Sequence, residues 1–130
     1  MDAPCALCAA LETSDSLAAN EHAFAVFDAY PVSPGHALVV SRRHVANLFE
    51  LSLDEQSSLW ALLLPVKEAI DSRHSPAGYN VGVNVGSAAG QTIGHVHIHV
   101  IPRYEGDVDD PRGGVGWVLP ARADYWSDRP

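Results

Sequence analysis

The segment GQTIGHVHIHVIPRY, residues 90–104, places histidines at alternate positions, His95, His97 and His99. Valine and isoleucine stand between them, so the segment has the two-residue period of a β-strand with one apolar face. We therefore predict a strand over residues 95–103, with the apolar side chains in a core and the histidines on the opposite face. The outer two rings would lie about 13 Å apart, which is too far for all three to bind one metal ion. At least one ring must have a different role.

The composition limits the classes of protein to consider. The chain has 130 residues, of which 47% are hydrophobic, and this is enough for one domain with a core. Its net charge of −8 excludes the basic face needed to bind a nucleic acid polymer, so an anionic ligand must be small and held by local donors. No apolar run approaches the roughly 20 residues of a membrane helix, and no secretory signal is recognisable. We expect a cytoplasmic protein without membrane contact.

Three further segments have strand patterns. Residues 23–29 and 36–42 are rich in alanine, valine and phenylalanine, and a turn with two prolines and a glycine separates them. They predict a β-hairpin. Residues 77–86 alternate between apolar residues and asparagine or glycine, which predicts a strand with one buried face. Together with the histidine strand, these segments predict an α+β fold with an antiparallel sheet.

One long helix is predicted over residues 51–74. Ser52 or Asp54 can cap its N-terminus, and apolar residues recur every three or four positions to form one buried stripe. Pro65 conflicts with this pattern, because an interior proline removes a hydrogen bond and costs about 3 kcal/mol. We therefore expect a kink or a break within residues 61–64.

The loop GSAAGQT, residues 86–92, precedes the histidine strand and is rich in hydrogen-bond donors. Glycine backbone N–H groups and the polar side chains of serine, glutamine and threonine can form a concave site that holds a phosphate. A donor loop next to nucleophilic imidazoles favours a phosphate ester over a plain metal site. Two alternatives remain at this point: a zinc centre held by His-x-His on a strand, or histidines that are simply hydrogen-bonded polar residues.

Several segments together resemble the histidine triad family. HVHIHVI fits its pattern His-φ-His-φ-His-φ-φ, where φ is apolar. AGQT before the triad and IPR after it are similar to the branch of fragile histidine triad proteins and diadenosine polyphosphate hydrolases. Residues 24–44 resemble that family's hairpin, and YNVGVNVG resembles the strand before its phosphate loop. The resemblance covers residues 5–103 of a single domain, 1–130, and residues 104–130 resemble the C-terminal extension of many bacterial members.

The resemblance implies a fold and an activity. The fold would be an antiparallel sheet of about five strands with one long helix and short helices, in a homodimer. The activity would be that of a nucleotide hydrolase or transferase acting at the α-phosphate of adenosine nucleotides or dinucleoside polyphosphates through a nucleotidyl-histidine intermediate. A phosphorylase, in which phosphate replaces water, stays open. So do a metal-dependent hydrolase that uses the histidines as catalytic ligands and a non-catalytic nucleotide-binding module.

The same resemblance assigns residue roles. His97 corresponds to the nucleophile, and an imidazole suits this role because it is nucleophilic near neutral pH and leaves readily from its protonated N–P adduct. His99 would contact phosphate oxygens or the scissile bridging oxygen, and Gln91 would assist as a donor. Asp28 matches the position that holds ribose hydroxyls, with turn capping as the alternative for this residue and for His36. The implied substrate-binding set is Asp28, His36, Asn84, Gly90, Gln91, Thr92, His97 and His99.

Cys5 and Cys8 have the C-x-x-C spacing of tetrahedral zinc sites. Two more ligands are needed, and His44 and His95 are the candidates. In many bacterial members that these segments resemble, zinc is held by such a pair, a histidine at the place of His44 and the first triad histidine. His95 would then bind a structural zinc and leave the other two triad histidines for chemistry. The alternative is a pair of free thiols and two surface imidazoles.

Overall fold

A five-stranded antiparallel sheet with helices on both faces forms the fold, in a computed structural model that describes residues 5–13 and 15–127. The sheet order is β1-β2-β3-β5-β4, and all neighbouring strands are antiparallel. The α+β prediction is confirmed. None of the helices within the described residues is long and apolar enough to cross a lipid bilayer. In chain order the elements are α1 (Ala6–Thr13), β1 (Ala18–Ala19), β2 (Ala23–Phe27), β3 (Ala37–Ser41), α2 (Leu53–Ala61), α3 (Leu63–His74), β4 (Gly78–Gly82) and β5 (His97–Arg103).

The strand register decides which residues share the histidine face. In the β3–β5 pair, Leu38 is opposite His99 and Val40 is opposite His97. Gly82 of β4 lies on the other side of His99. Opposed residues point to the same face of a sheet. Both histidines therefore lie beside the apolar strand β3, and on the β4 side the missing side chain of Gly82 leaves room beside His99.

Both faces of the sheet are covered by apolar side chains. On one face, Val39 and Ile98 pack against α2 and α3, as the predicted burial of the valines and isoleucine of the triad segment requires. On the histidine face, Phe24 and Val40 pack against Leu7 of α1. The central strand β3 is therefore buried along its whole length. This second cluster explains why His97 is only 7% exposed rather than lying on an open surface.

The predicted long helix is divided into α2 and α3, and the expected break is confirmed. The division is at Leu62, whose N–H donates to the carbonyl of Leu59 and so tightens the last turn of α2. Pro65 is the third residue of α3. The N–H groups of a first helical turn have no partner within the helix, so this proline removes no helical hydrogen bond.

A capping box and an ion pair fix the start of α2. Ser52 Oγ accepts a hydrogen bond from Glu55 N (3.1 Å), and Glu55 Oε1 accepts one from Ser52 N (3.0 Å), so Ser52 rather than Asp54 is the cap. Arg43, just after β3, donates to both carboxylate oxygens of Glu55 at 2.9 and 3.0 Å. These hydrogen bonds from the guanidinium, together with those from Ser52, lower the pKa of Glu55 to about 2.

All four predicted strands are shorter than predicted, and β2 and β3 span Ala23–Phe27 and Ala37–Ser41 rather than residues 23–29 and 36–42. β5 begins at His97 and not at His95, because the preceding residue pairs differently: Val96 N donates to the carbonyl of Val45, outside the sheet ladder. β4 ends at Gly82 and not at residue 86. Alternation predicted the packing of the valines beyond Gly82 correctly, since they still contact the core, but it could not predict where pairing ends.

Candidate active site

His97, the first residue of β5, has one ring nitrogen held by the backbone. Its Nδ1 lies 2.7 Å from the carbonyl oxygen of His95. A carbonyl only accepts hydrogen bonds, so Nδ1 must carry the proton and donate it. The neutral ring therefore keeps a free electron pair on Nε2, on a residue that is almost fully buried. This is the protonation state that a nucleophilic imidazole needs.

His99 receives the opposite tautomer through His36. The N–H of Val32 donates to His36 Nδ1 at 3.1 Å, so the proton of the neutral His36 ring must be on Nε2. That nitrogen is 3.0 Å from His99 Nδ1 and donates to it. His99 consequently carries its proton on Nε2. Burial lowers the pKa of both rings, which favours these neutral forms.

Asp28 lies beside this pair at the end of β2. Its Oδ1 accepts a hydrogen bond from Tyr30 N at 2.8 Å, and its Oδ2 is 3.6 Å from His36 Nε2. One oxygen of Asp28 therefore caps a turn, as the alternative interpretation expected. His36 does the same, because its Nδ1 accepts from the N–H of Val32. The second carboxylate oxygen takes no part in the turn hydrogen bond.

The cluster formed by Asp28, His36 and His99 has potential ligand atoms within 4.8 Å of one another. A metal-bound histidine normally donates its other N–H to an acceptor. His36 does the reverse, because its Nδ1 faces the N–H donor of Val32. Binding a metal through His36 Nε2 would leave two donors facing each other, so the hydrogen-bond polarity favours a hydrogen-bonded pair over a metal site.

The predicted phosphate loop is braced by Gln91. Its Oε1 accepts from Gly86 N (2.9 Å), and its Nε2 donates to the carbonyls of Ala46 (2.8 Å) and Ile93 (2.9 Å). Gly86 and Gly90 have φ values of 89° and 93°, which side chains other than glycine rarely adopt. Gln91 thus shapes the loop, and the predicted contact with a phosphate requires that it release one of these carbonyls.

A cavity of about 970 Å³ opens beside His36 and His99. Asn84, predicted from strand parity to face the substrate, lies on its wall, whereas Thr92 is exposed on the loop. Trp117 of the C-terminal extension also lines the cavity. Sequence reasoning gave no role to this extension. The signal available was a tryptophan-rich tail without a predicted element to cover it.

The four predicted zinc ligands form a second cluster. His95 Nδ1 is 3.5 Å from both cysteine Sγ atoms, and His44 Nδ1 is 3.1 Å from His95 Nδ1 and 3.2 Å from Cys8 Sγ. Tetrahedral zinc with ordinary Zn–S and Zn–N distances places its ligand atoms about 3.4–3.8 Å apart. His95 Nε2 donates to the carbonyl of Ser41 at 2.6 Å, which is the second hydrogen bond expected of a metal-bound histidine. The cluster fits zinc, with Cys5, Cys8, His44 and His95 as its members.

Comparison with known sequences gives one family and several relatives. Residues 11–106 match the family described as the HIT domain. A 16.1 kDa HIT-like protein of Mycoplasma pneumoniae is 42% identical over 107 residues, which cover 78% of this chain and 72% of that protein. The AP-4-A phosphorylase of Mycobacterium tuberculosis is 39% identical over 66% of this chain and 45% of its own length. The asymmetrical bis(5'-nucleosyl)-tetraphosphatase of Schizosaccharomyces pombe is 38% identical over 62% and 44%. This chain thus spans less than half of the length of the phosphorylase and of the tetraphosphatase.

Solved structures of histidine triad proteins share the fold of this chain. A histidine triad nucleotide-binding protein from Sulfolobus tokodaii superposes with a TM-score of 0.72 at 33% identity, covering 79% of this chain and 71% of that one. A zinc-bound histidine triad family protein from Mycobacterium smegmatis has a TM-score of 0.69 at 28% identity, covering 79% and 77%.

Proposed function

This chain belongs to the HIT domain family, and we propose that it cleaves adenosine nucleotides or dinucleoside polyphosphates at the α-phosphate through a nucleotidyl-histidine intermediate. One observation carries the proposal: the 2.7 Å hydrogen bond from His97 Nδ1 to the carbonyl of His95, which keeps the Nε2 electron pair free for attack. The relatives named as a phosphorylase and a tetraphosphatase of dinucleoside polyphosphates support the substrate class.

In the first step, His97 Nε2 attacks the α-phosphorus and forms an N–P bond. The P–O bond to the bridging oxygen breaks, and its electron pair leaves with the departing phosphate. His99, with its proton on Nε2, is placed to donate a hydrogen bond to the leaving oxygen, and the phosphate departs as an anion without taking that proton. A donor aimed at developing charge is worth about 3 kcal/mol of the barrier. The adduct retains the His97 Nδ1–H hydrogen bond to the backbone, which stabilises the positive charge on the ring.

In the second step, water attacks the phosphorus and the N–P bond breaks. The electron pair returns to His97 Nε2, and the proton that water gives up is released to solvent. The products are the nucleoside monophosphate and the original leaving group. If inorganic phosphate attacks instead of water, the same residues perform a phosphorolysis. Asp28 Oδ2, which has no part in the turn hydrogen bond, would accept from the ribose hydroxyls.

We also propose that Cys5, Cys8, His44 and His95 hold a structural zinc ion. The four ligands complete a tetrahedral set and leave no position for a reacting water. When bound, the ion would supply a cross-link between the start of α1, the segment after β3 and the start of β5. The homodimer and the cytoplasmic location remain predictions.

Substitution of the nucleophile tests the proposal. In the His97→Ala variant, hydrolysis of diadenosine tetraphosphate should fall below roughly a few per cent of wild type, while the affinity for adenosine monophosphate changes by less than about tenfold. Release of adenosine monophosphate would indicate a hydrolase, and release of adenosine diphosphate in phosphate buffer a phosphorylase. Nucleotide binding without turnover in the wild type would make the protein a binding module.

A further inference from the structure

The C-terminal extension contributes to the wall of the cavity beside His99. The cavity of about 970 Å³ is lined by His36 and His99 and also by Val115, Trp117 and Val118 of the extension. These three side chains of the extension are 63%, 48% and 76% exposed. A group of exposed apolar side chains on the wall of a cavity is typical of a surface that binds a ligand.

Contacts within the extension hold the side chains of this wall in place. Trp117 Nε1 donates to the carbonyl of Arg112 at 2.7 Å, which sets the orientation of the indole ring. The Arg112 guanidinium lies over the ring of Trp126 at 4.9 Å. Gly113, with φ of 94°, lies so close to Trp126 that an added Cβ would come within 2.9 Å of it. The indole ring of Trp117 is thus held in place before any ligand arrives.

The acidic residues around the cavity do not give it a free negative charge. Asp107 accepts from Arg103 at 2.7 Å, and Asp110 accepts from Arg112 at 2.8 Å. Each carboxylate is neutralised by a neighbouring guanidinium. The surface beyond His99 is therefore mostly apolar, which suits an uncharged planar group better than a phosphate or a second cation.

We propose that this wall binds the nucleobase of the leaving group, with Trp117 as the stacking residue. The inference rests on the proposed function, because His99 Nε2–H marks the side of the leaving oxygen and His99 lines the cavity. It narrows the substrate class to dinucleoside polyphosphates, in which a second base follows the phosphates. A nucleotide with a small leaving group would leave the wall uncovered.

Two substrates that differ only in the second nucleoside test the inference. Diadenosine triphosphate carries it, and the γ-methyl ester of adenosine triphosphate has the same phosphates and charge without it. Kinetics and calorimetric binding are measured with both for wild type, Trp117→Ala, Trp117→Phe and Trp60→Ala. Trp60 is the matched control, since it is 44% exposed and is not among the residues that line the cavity. The thermal unfolding midpoint of each variant shows whether it is folded.

Trp117→Ala should raise KM for diadenosine triphosphate roughly tenfold, as expected for loss of one base–aromatic stack. The KM for the methyl ester should change by less than about twofold. Trp117→Phe should keep most of the preference for diadenosine triphosphate over the methyl ester, and Trp60→Ala should keep all of it. Equal effects on both substrates, or dissociation of a dimer on changing Trp117, would overturn the inference. A wild type that binds the diadenosine compound preferentially but does not cleave it would overturn the proposed function and leave the binding wall standing.

Discussion

His97 donates its Nδ1–H to the backbone carbonyl of His95 at 2.7 Å, so two neighbouring triad histidines serve different purposes. The ring of His95 belongs to the cysteine cluster, and its carbonyl fixes the tautomer of His97. His95 is itself anchored by the 2.6 Å hydrogen bond from its Nε2 to the carbonyl of Ser41. The candidate metal cluster and the candidate nucleophile thus meet at one residue, and that residue has a backbone anchor of its own.

His36 should act on turnover through His99. In His36→Gln the amide can still donate to His99 Nδ1, whereas His36→Leu leaves that nitrogen without a partner and the ring free to rotate. We expect Gln to retain most of the turnover and Leu to lose roughly tenfold in kcat, the value of one such hydrogen bond. Nitrogen-15 NMR of His99 should show a single Nε2–H tautomer in the wild type. Equal turnover in the two variants would contradict the role.

Asp28→Ala should discriminate between sugars. If Asp28 Oδ2 accepts from the ribose hydroxyls, KM should rise for ribonucleotides far more than for their 2′-deoxy analogues, because about 1.5–3 kcal/mol of binding to a charged acceptor is lost. Steady-state kinetics with matched ribo- and deoxyribonucleotides measure this. Equal losses on both sugars would mean that the carboxylate only caps the Tyr30 turn.

Zinc should be present at close to one ion per chain, and the Cys5→Ser, Cys8→Ser double variant should carry almost none. The unfolding temperature of the variant should fall, since the binding energy of a structural metal is partly folding energy. Activity at low temperature should largely survive, because the Ser41 carbonyl still holds His95. Elemental analysis and thermal unfolding check both points. A folded but inactive double variant would place the metal in the chemistry.

Glu55 should make stability depend on pH. Its folded pKa of about 2 lies below the ordinary value of 4.5, so its ion pair with Arg43 stabilises the fold above pH 4.5 and is lost as the pH falls from 4.5 to 2. Glu55→Gln keeps the capping box and removes the charge. Because Arg43 is half-exposed and solvent screens the ion pair, the expected loss of Tm in the variant at neutral pH is a few degrees at most. The Tm difference between wild type and variant should vanish near pH 2; a constant difference would refute the assignment.

Periodicity predicted the elements well, because burial repeats with the strand or helix period. It predicted the packing of Ile98, and the position of Pro65 predicted the break at Leu62. Strand ends were less predictable. The histidine strand starts two residues late because Val96 bonds to Val45, a partner remote in sequence.

The site was predicted as a set of residues but not as a set of hydrogen bonds. The motif identified His97 and His99, yet their opposite tautomers depend on the His95 carbonyl and on the N–H of Val32, which no residue type reveals. Gln91 shows the same limit. The sequence predicted that its amide donates to a phosphate, whereas in the structure it donates to backbone carbonyls and holds the loop in shape. The wall containing Trp117 depends on how the C-terminal extension folds back, and its sequence has no periodic signal.

The covalent intermediate on His97 can be trapped during the first turnover. Enzyme in excess is mixed with diadenosine tetraphosphate labelled at the α-phosphorus, and samples are quenched in alkaline detergent through the first turnover. We expect protein-bound label that appears before the free nucleotide, resists base and is released by mild acid. The label should map to His97 and be absent from His97→Ala. Complete conversion of substrate with no acid-labile label, or label on another residue, would contradict the proposed intermediate.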